Sequence, residues 1–128
     1  MSKITLQEFM NDENNRIKSS AHLRKRAKCA DGFTVSIQAS CWHYSEPRQT
    51  FSDKFESLEL GYPTERDELI MPYAESPESP TETVYPYVPW DVVEKMVEKH
   101  GNIVAAVVRY KYAYDWQKRS NDGTEYTD

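Results

Sequence analysis

The sequence has little of three things that many small proteins depend on: cysteine, glycine and long apolar runs. Only Cys29 and Cys41 are present, too few for the disulfide framework of a small secreted scaffold, so we expect a reduced, cytoplasmic setting. The four glycines form neither a phosphate-binding loop nor a nucleophile elbow. The longest apolar run, residues 103–108, has six residues, against roughly 18 for a membrane span, and no secretory signal opens the chain, so we expect no membrane association.

The composition is that of one polar but foldable domain. The apolar fraction is 38% and the charged fraction 29%, which leaves few aliphatic side chains for a core. Three Trp, nine Tyr and four Phe compensate, because each ring can bury about 150–250 Å². We therefore predict a single domain over residues 1–128 with an aromatic-rich core.

The net charge of −5 is unevenly distributed along the chain. Residues 1–52 carry eight Lys/Arg and five Asp/Glu, a net charge of +3. Residues 53–98 carry three basic and twelve acidic side chains, a net charge of −9, and residues 99–128 return to +1. The acidity is therefore regional, and it favours a basic partner for the central part of the chain.

One or two helices are predicted before residue 30. Thr5 and Glu8 form a capping box, and Leu6, Phe9 and Met10 follow with helical spacing. A second helix is predicted over about residues 16–28, and it carries a basic run.

The rest of the chain predicts an α+β fold. Alternating apolar residues predict strands over 33–39 and 55–62, paired in a small antiparallel sheet, with an edge strand near 84–88. A helix over about 90–100, ended by Gly101, would pack across this sheet. Residues 102–116 fit either a strand, which we favour, or a helix. The Pro-rich acidic segment 73–83 is predicted to be a mobile loop and 120–128 a frayed tail.

Catalytic and metal-binding patterns are weak. The potential zinc ligands lack the paired spacing of small zinc domains, so we predict no metal and no cofactor. A Cys–His pair at i and i+2 need not touch, and two glutamates near 56–59 point to opposite faces of a strand. We therefore predict no enzyme, and keep a minor catalytic or metal site as the third hypothesis. The residues weighed were His22, Cys29, Cys41, His43, Tyr44, Arg48, Glu56 and Glu59.

The basic run supports a second hypothesis, a small nucleic-acid-binding regulator. Four positive charges within five residues could neutralise phosphates, although the acidic whole and the absence of a reader motif argue against it. The alternative is a solvated helix face. The run consists of Arg24, Lys25, Arg26 and Lys28.

The acidic, tyrosine-rich and proline-rich central region supports the leading hypothesis. Tyrosines provide rigid contact area, and clustered carboxylates steer a basic partner by mimicking phosphates. The alternative is that the acids only keep a loop soluble. The predicted partner-binding residues are Tyr62, Glu65, Asp67, Glu68, Tyr73, Glu75, Glu78, Glu82, Tyr85 and Tyr87.

Three stretches of the chain resemble a family of small uncharacterised proteins encoded by bacteriophages and prophages. They are residues 31–40 with 44–48, residues 58–63, and residues 84–89 running on to 100–101, so the resemblance covers about residues 30–102. It implies an accessory phage protein acting in the host cytoplasm. By analogy with anti-CRISPR proteins, its partner would be a host nucleic-acid-handling or defence protein with a basic surface. The aromatic C-terminal segment leaves room for a dimer.

Overall fold

The computed structural model describes residues 3–17 and 23–108. It has an α+β fold in which a short N-terminal helix and a longer helix accompany one five-stranded antiparallel sheet of order β4-β3-β2-β1-β5, which confirms the predicted class. None of the described helices is long and apolar enough to cross a membrane. The elements are α1 Leu6–Asn11, β1 Arg26–Cys29, β2 Thr34–Gln38, β3 Ser57–Gly61, a 3₁₀ helix Met71–Tyr73, β4 Val84–Pro89, α2 Trp90–Lys99 and β5 Ile103–Val107.

The central strands follow the predicted alternation. Val35 and Ile37 of β2 and Leu58 and Leu60 of β3 are fully buried, and Ile37 lies opposite Leu60 across the antiparallel pair. The strands predicted over 33–39 and 55–62 are thus confirmed, and β4 forms the predicted edge strand.

Helix α2 is confirmed, and its C-terminal end is set by a glycine. The chain enters the helix through Pro89, and Val93 and Met96 are fully buried on its apolar side. Gly101 has φ +91°, and a Cβ atom there would lie 2.9 Å from the Cβ of Ala30. Both the left-handed backbone and the close approach to the β1–β2 turn therefore require glycine at this position.

The helix predicted over residues 16–28 is wrong at its C-terminal end. Residues 26–29 form strand β1, which pairs with both β2 and β5. Ala27 and Cys29 are fully buried in the core, so the period of this segment is two, and the basic run hid that period. Residues 18–22, with His22, lie outside the described residues.

The strand reading of the segment after α2 is confirmed over Ile103–Val107, where β5 pairs with β1. The rest of the predicted strand, and the predicted frayed tail, lie outside the described residues. Residues 68–70 form a turn that leads into the 3₁₀ helix Met71–Tyr73.

A buried charge cluster joins α2 to two other parts of the fold. His100 is 4% exposed, and its Nδ1 and Nε2 atoms lie 2.6 Å from an Asp31 carboxylate oxygen and 2.7 Å from an Asp67 carboxylate oxygen. Its ring stacks on Phe33 with centroids 3.8 Å apart. Lys99 Nζ is 3.1 Å from the same Asp67 oxygen. Because both ring nitrogens face carboxylates, the geometry favours the doubly protonated imidazolium.

The ionisation of the cluster follows from this geometry. Desolvation opposes the charged ring of His100, but the hydrogen bonds and charges of Asp31 and Asp67 outweigh it and raise its pKa. Desolvation likewise opposes ionisation of Asp67, but hydrogen bonds from His100, the Leu69 amide and Lys99 lower its pKa. The cluster is therefore held in its fully charged form.

Stability should depend on pH through this cluster. The raised pKa of His100 gives a stabilisation that is complete below the unfolded value of about 6.5 and is lost as pH rises through the folded pKa. The lowered pKa of Asp67 gives a second stabilisation, which is lost as pH falls below about 4. We therefore expect the melting temperature, followed by circular dichroism, to be highest between these limits and to fall on the alkaline side.

The variant His100→Gln tests the assignment to this residue. We expect it to lose about 3 kcal/mol of unfolding free energy, because it removes the cation that bonds to both carboxylates, and to lose the alkaline decline. Glu94→Gln, at an exposed position of the same helix, is the control and should change stability by less than about 0.5 kcal/mol. An alkaline decline that persists in His100→Gln would contradict the assignment.

Candidate functional site

Five of the six predicted carboxylates are exposed, and together they are called the acidic face. They are Glu65, Glu68, Glu75, Glu78 and Glu82. Glu68 forms an ion pair with Arg66, whose hydrogen bond lowers the pKa of that carboxyl. Asp67, by contrast, is only 1% exposed and belongs to the His100 cluster, so its predicted place on the partner-binding surface is corrected.

The four tyrosines of the prediction separate into different environments. Tyr85 is fully buried in the core, and its hydroxyl donates to the Pro80 carbonyl, so its predicted place on the surface is corrected. Tyr73 packs partly buried against the core, and Tyr62 is half-buried. Tyr87 is 43% exposed and is the predicted tyrosine best placed to contact a partner.

Tyr87 belongs to an aromatic patch that the sequence did not reveal. We use this name for Trp42, Tyr44 and Tyr87, which are 70%, 47% and 43% exposed. The rings of Tyr44 and Tyr87 have centroids 5.7 Å apart, and the Tyr87 amide donates to the Tyr44 carbonyl at 3.1 Å. Arg48 lies over the Tyr44 ring at 5.7 Å from its centroid. Aromatic rings exposed together in this way are typical of protein-binding hot spots.

The loop that carries Trp42 and Tyr44 is held by hydrogen bonds. Ser40 is fully buried, and its Oγ accepts from the Trp42 amide at 3.0 Å and lies 2.7 Å from His43 Nδ1. Further along the loop, the Glu46 amide donates to the Ser57 carbonyl at 3.0 Å, which forms an isolated bridge to the start of β3. The rings are thus presented by an ordered loop, which lowers the entropic cost of binding.

Tyr87 is presented by a strained backbone. It has φ +55°, in the left-handed region, which costs an L-residue with a bulky side chain roughly 1–2 kcal/mol. The pairing of β3 with β4 is irregular at this point, since Leu58 lies opposite Val88 and Leu60 opposite Tyr85. Pro86 and Tyr87 together therefore face the single residue Glu59, as in a β-bulge.

Glu59 is a half-buried carboxylate next to the aromatic patch. Its Oε1 accepts from the Tyr44 amide at 2.7 Å. Desolvation raises its pKa, and nearby Glu75 adds to the rise, while the Tyr44 hydrogen bond and Arg48 act in the other direction. Among the described residues, no side-chain nitrogen forms an ion pair with it. Glu59 therefore carries a charge that its surroundings compensate poorly.

A cavity of about 320 Å³ lies on the sheet face that carries Glu59. Its wall combines apolar side chains from β3, β4 and β5 with polar ones from β1 and β2. Its lining residues include Arg24, Arg26, His43, Glu59 and Tyr62.

The two arginines of the basic run do not lie on a solvated helix face. The Arg24 guanidinium donates to the carbonyls of Met10, Ala39 and Thr50, and its burial lowers its pKa to about 10. The Arg26 guanidinium donates to the Thr34 hydroxyl and carbonyl and to the Tyr62 carbonyl. Both arginines are therefore buried and bonded to the backbone.

The remaining members of the run, Lys25 and Lys28, are partly exposed. They are the part of the proposed nucleic-acid site that solvent can reach. Two ammonium groups can neutralise few phosphates, so the affinity that this run could supply is small.

The two cysteines considered for chemistry lie in different environments. Cys29 is buried, and desolvation followed by the charge of Asp31 raises the pKa of its thiol to about 12, while Cys41 is exposed. Within residues 3–17 and 23–108, no group of three or more metal-ligating side chains is found.

No family model matches the chain, and neither a curated protein nor a solved structure is significantly similar to it.

Arg24 should be a structural residue. Its guanidinium joins the end of α1 to two loops, so Arg24→Ala should cost about 3 kcal/mol of unfolding free energy by leaving three carbonyls without their donor. Lys25→Ala should cost less than about 0.5 kcal/mol. Urea denaturation measures both, and equal small costs would contradict the structural role.

The strain at Tyr87 can be measured separately from the loss of its ring. Tyr87→Gly and Tyr87→Ala both remove the ring, but only glycine relieves the left-handed backbone. We expect the Gly variant to be about 1 kcal/mol more stable than the Ala variant in urea denaturation. The same pair of substitutions at Tyr44, which lacks a positive φ, should show no such advantage for glycine.

Proposed function

We propose that this chain is a phage-encoded binding protein that inhibits a host nucleic-acid-handling or defence protein, in the manner of an anti-CRISPR protein. It acts in the host cytoplasm by covering a basic surface of its partner. The single observation that carries the proposal is that the five glutamates of the acidic face and the three rings of the aromatic patch are all exposed.

The two surfaces make different contributions to binding. Carboxylates on an exposed face raise the rate of encounter with a basic partner and disfavour acidic ones. Exposed Trp and Tyr rings provide the apolar contact area that slows dissociation. The acidic face alone would bind weakly and without selectivity, so the aromatic patch is the part of the surface that makes a specific partner reasonable.

The same charges argue against nucleic acid as the main partner. The acidic face would repel phosphates, and the two arginines of the basic run are buried against backbone carbonyls. The polypeptide instead presents carboxylates where a nucleic acid presents phosphates. The target would therefore be a groove that normally binds nucleic acid.

The proposal predicts a capture that depends on the acidic face. Tagged protein would be incubated at low salt with nuclease-treated host lysate, and bound proteins identified by mass spectrometry. We expect a basic, nucleic-acid-binding protein to be retained and to be displaced by added duplex DNA or by salt. Glu65→Lys with Glu68→Lys should reduce capture about tenfold by removing the steering charge.

The control is Glu13→Lys with Glu94→Lys, which makes the same change in net charge at exposed positions outside the acidic face. Capture that falls equally in both variants would show an effect of net charge only. Capture that requires nucleic acid in the lysate would contradict the inhibitor function and favour Lys25 and Lys28 as the site.

A further inference from the structure

We propose that Glu59 and the aromatic patch together form a binding site for an arginine side chain of the partner. This inference rests on the proposed function, which requires a basic partner, and it names the side chain that the surface would recognise. Glu59 supplies the carboxylate, and Tyr44 and Tyr87 supply the rings beside it.

The position of Glu59 is fixed by the sheet. It lies on β3 opposite the bulge residues Pro86 and Tyr87 of β4, and its side chain lines the cavity. One carboxylate oxygen accepts from the Tyr44 amide at 2.7 Å, which ties the carboxylate to the aromatic patch. The other oxygen has no hydrogen-bond donor among the described residues, which leaves it available to an incoming guanidinium.

The surrounding charges leave this carboxylate in need of a cation. The two groups whose charges act most on it are Glu75, which is repulsive, and Arg48, which is attractive. Arg48 does not reach it, because its Nε donates to the His43 carbonyl at 3.1 Å and its guanidinium lies over Tyr44. The buried Arg24 and Arg26 are committed to backbone carbonyls. A cation from a partner would therefore lower the free energy of Glu59.

The neighbouring rings favour arginine over lysine. A guanidinium is planar and weakly hydrated, so it can stack on a tyrosine while donating two hydrogen bonds to a carboxylate. The protein already places one guanidinium within cation–π distance of a tyrosine here, since that of Arg48 lies 5.7 Å from the centroid of the Tyr44 ring. The tilted Tyr44–Tyr87 pair and the exposed Trp42 offer further ring surface for the same kind of contact.

Binding can be tested on the full chain with three short peptides that differ at one position. The peptides carry Arg, Lys or citrulline in an otherwise identical Gly/Ser sequence, and NMR follows the Tyr44 amide and the Trp42 indole N–H. We expect the Arg peptide to shift both signals in a saturable way, the Lys peptide to bind more weakly and the uncharged citrulline peptide to cause no shift. Glu59→Gln should weaken the Arg peptide about tenfold, because it removes the charge from the hydrogen bonds.

Glu13→Gln is the matched control, since it makes the same change at an exposed glutamate outside both the acidic face and the aromatic patch. Equal binding of the Arg and citrulline peptides, or an unchanged affinity in Glu59→Gln, would overturn the arginine site. That failure is distinct from failure of the proposed function. A capture from lysate that depends on Glu65 and Glu68 could persist without the arginine site, and Arg-peptide binding could persist without any capture.

Discussion

The contact on which the fold most depends is the imidazolium of His100 between two carboxylates. His100 follows helix α2, Asp31 lies in the β1–β2 turn, and Asp67 lies in the segment between β3 and β4. Three parts of the chain that are distant in sequence are thus joined at one buried ring. The arrangement holds the start of the acidic face against the helix, because Asp67 is flanked by exposed residues 65, 66 and 68.

A second buried charge, that of Arg24, performs a similar task elsewhere in the fold. The guanidinium of Arg24 takes up carbonyls that α1 and two loops would otherwise leave without donors, and burying such groups unpaired would cost free energy. In both places a buried ion serves irregular segments that lack ladder hydrogen bonds. These irregular segments form much of the surface, including the part that carries the candidate site.

The sequence allowed the regular parts of this fold to be predicted, because they follow a hydrophobic period. Strands β2 and β3, the edge strand β4 and helix α2 alternate or repeat as their burial requires. Strand β1 was not predicted. Arg26 and Lys28 lie on the sheet face away from the core, and their charges made the alternation with the core residues Ala27 and Cys29 hard to recognise. The exposed glutamates were predictable from composition alone, whereas burial of Asp67 depends on His100, 33 residues further along the chain.

The aromatic patch could not have been predicted, because its members come from a loop without a period and from a bulge. Nothing in the sequence indicates that Tyr87 is displayed while Tyr85, two residues earlier, is buried. In an ordinary strand these two residues would share a face. The positive φ of Tyr87 breaks that rule and directs its ring toward Tyr44.

This strained display bears on the function. A backbone that costs free energy persists only where the surrounding structure holds it, and such residues cluster at active sites, ligand clamps and switch regions. Here the strain exposes a ring beside a half-buried carboxylate, although both features oppose stability in the isolated chain. The loss would be recovered on binding, when a cation compensates Glu59 and an apolar surface covers the rings. In the proposed function, the acidic face would bring a basic partner close, and the patch would then determine how long it stays.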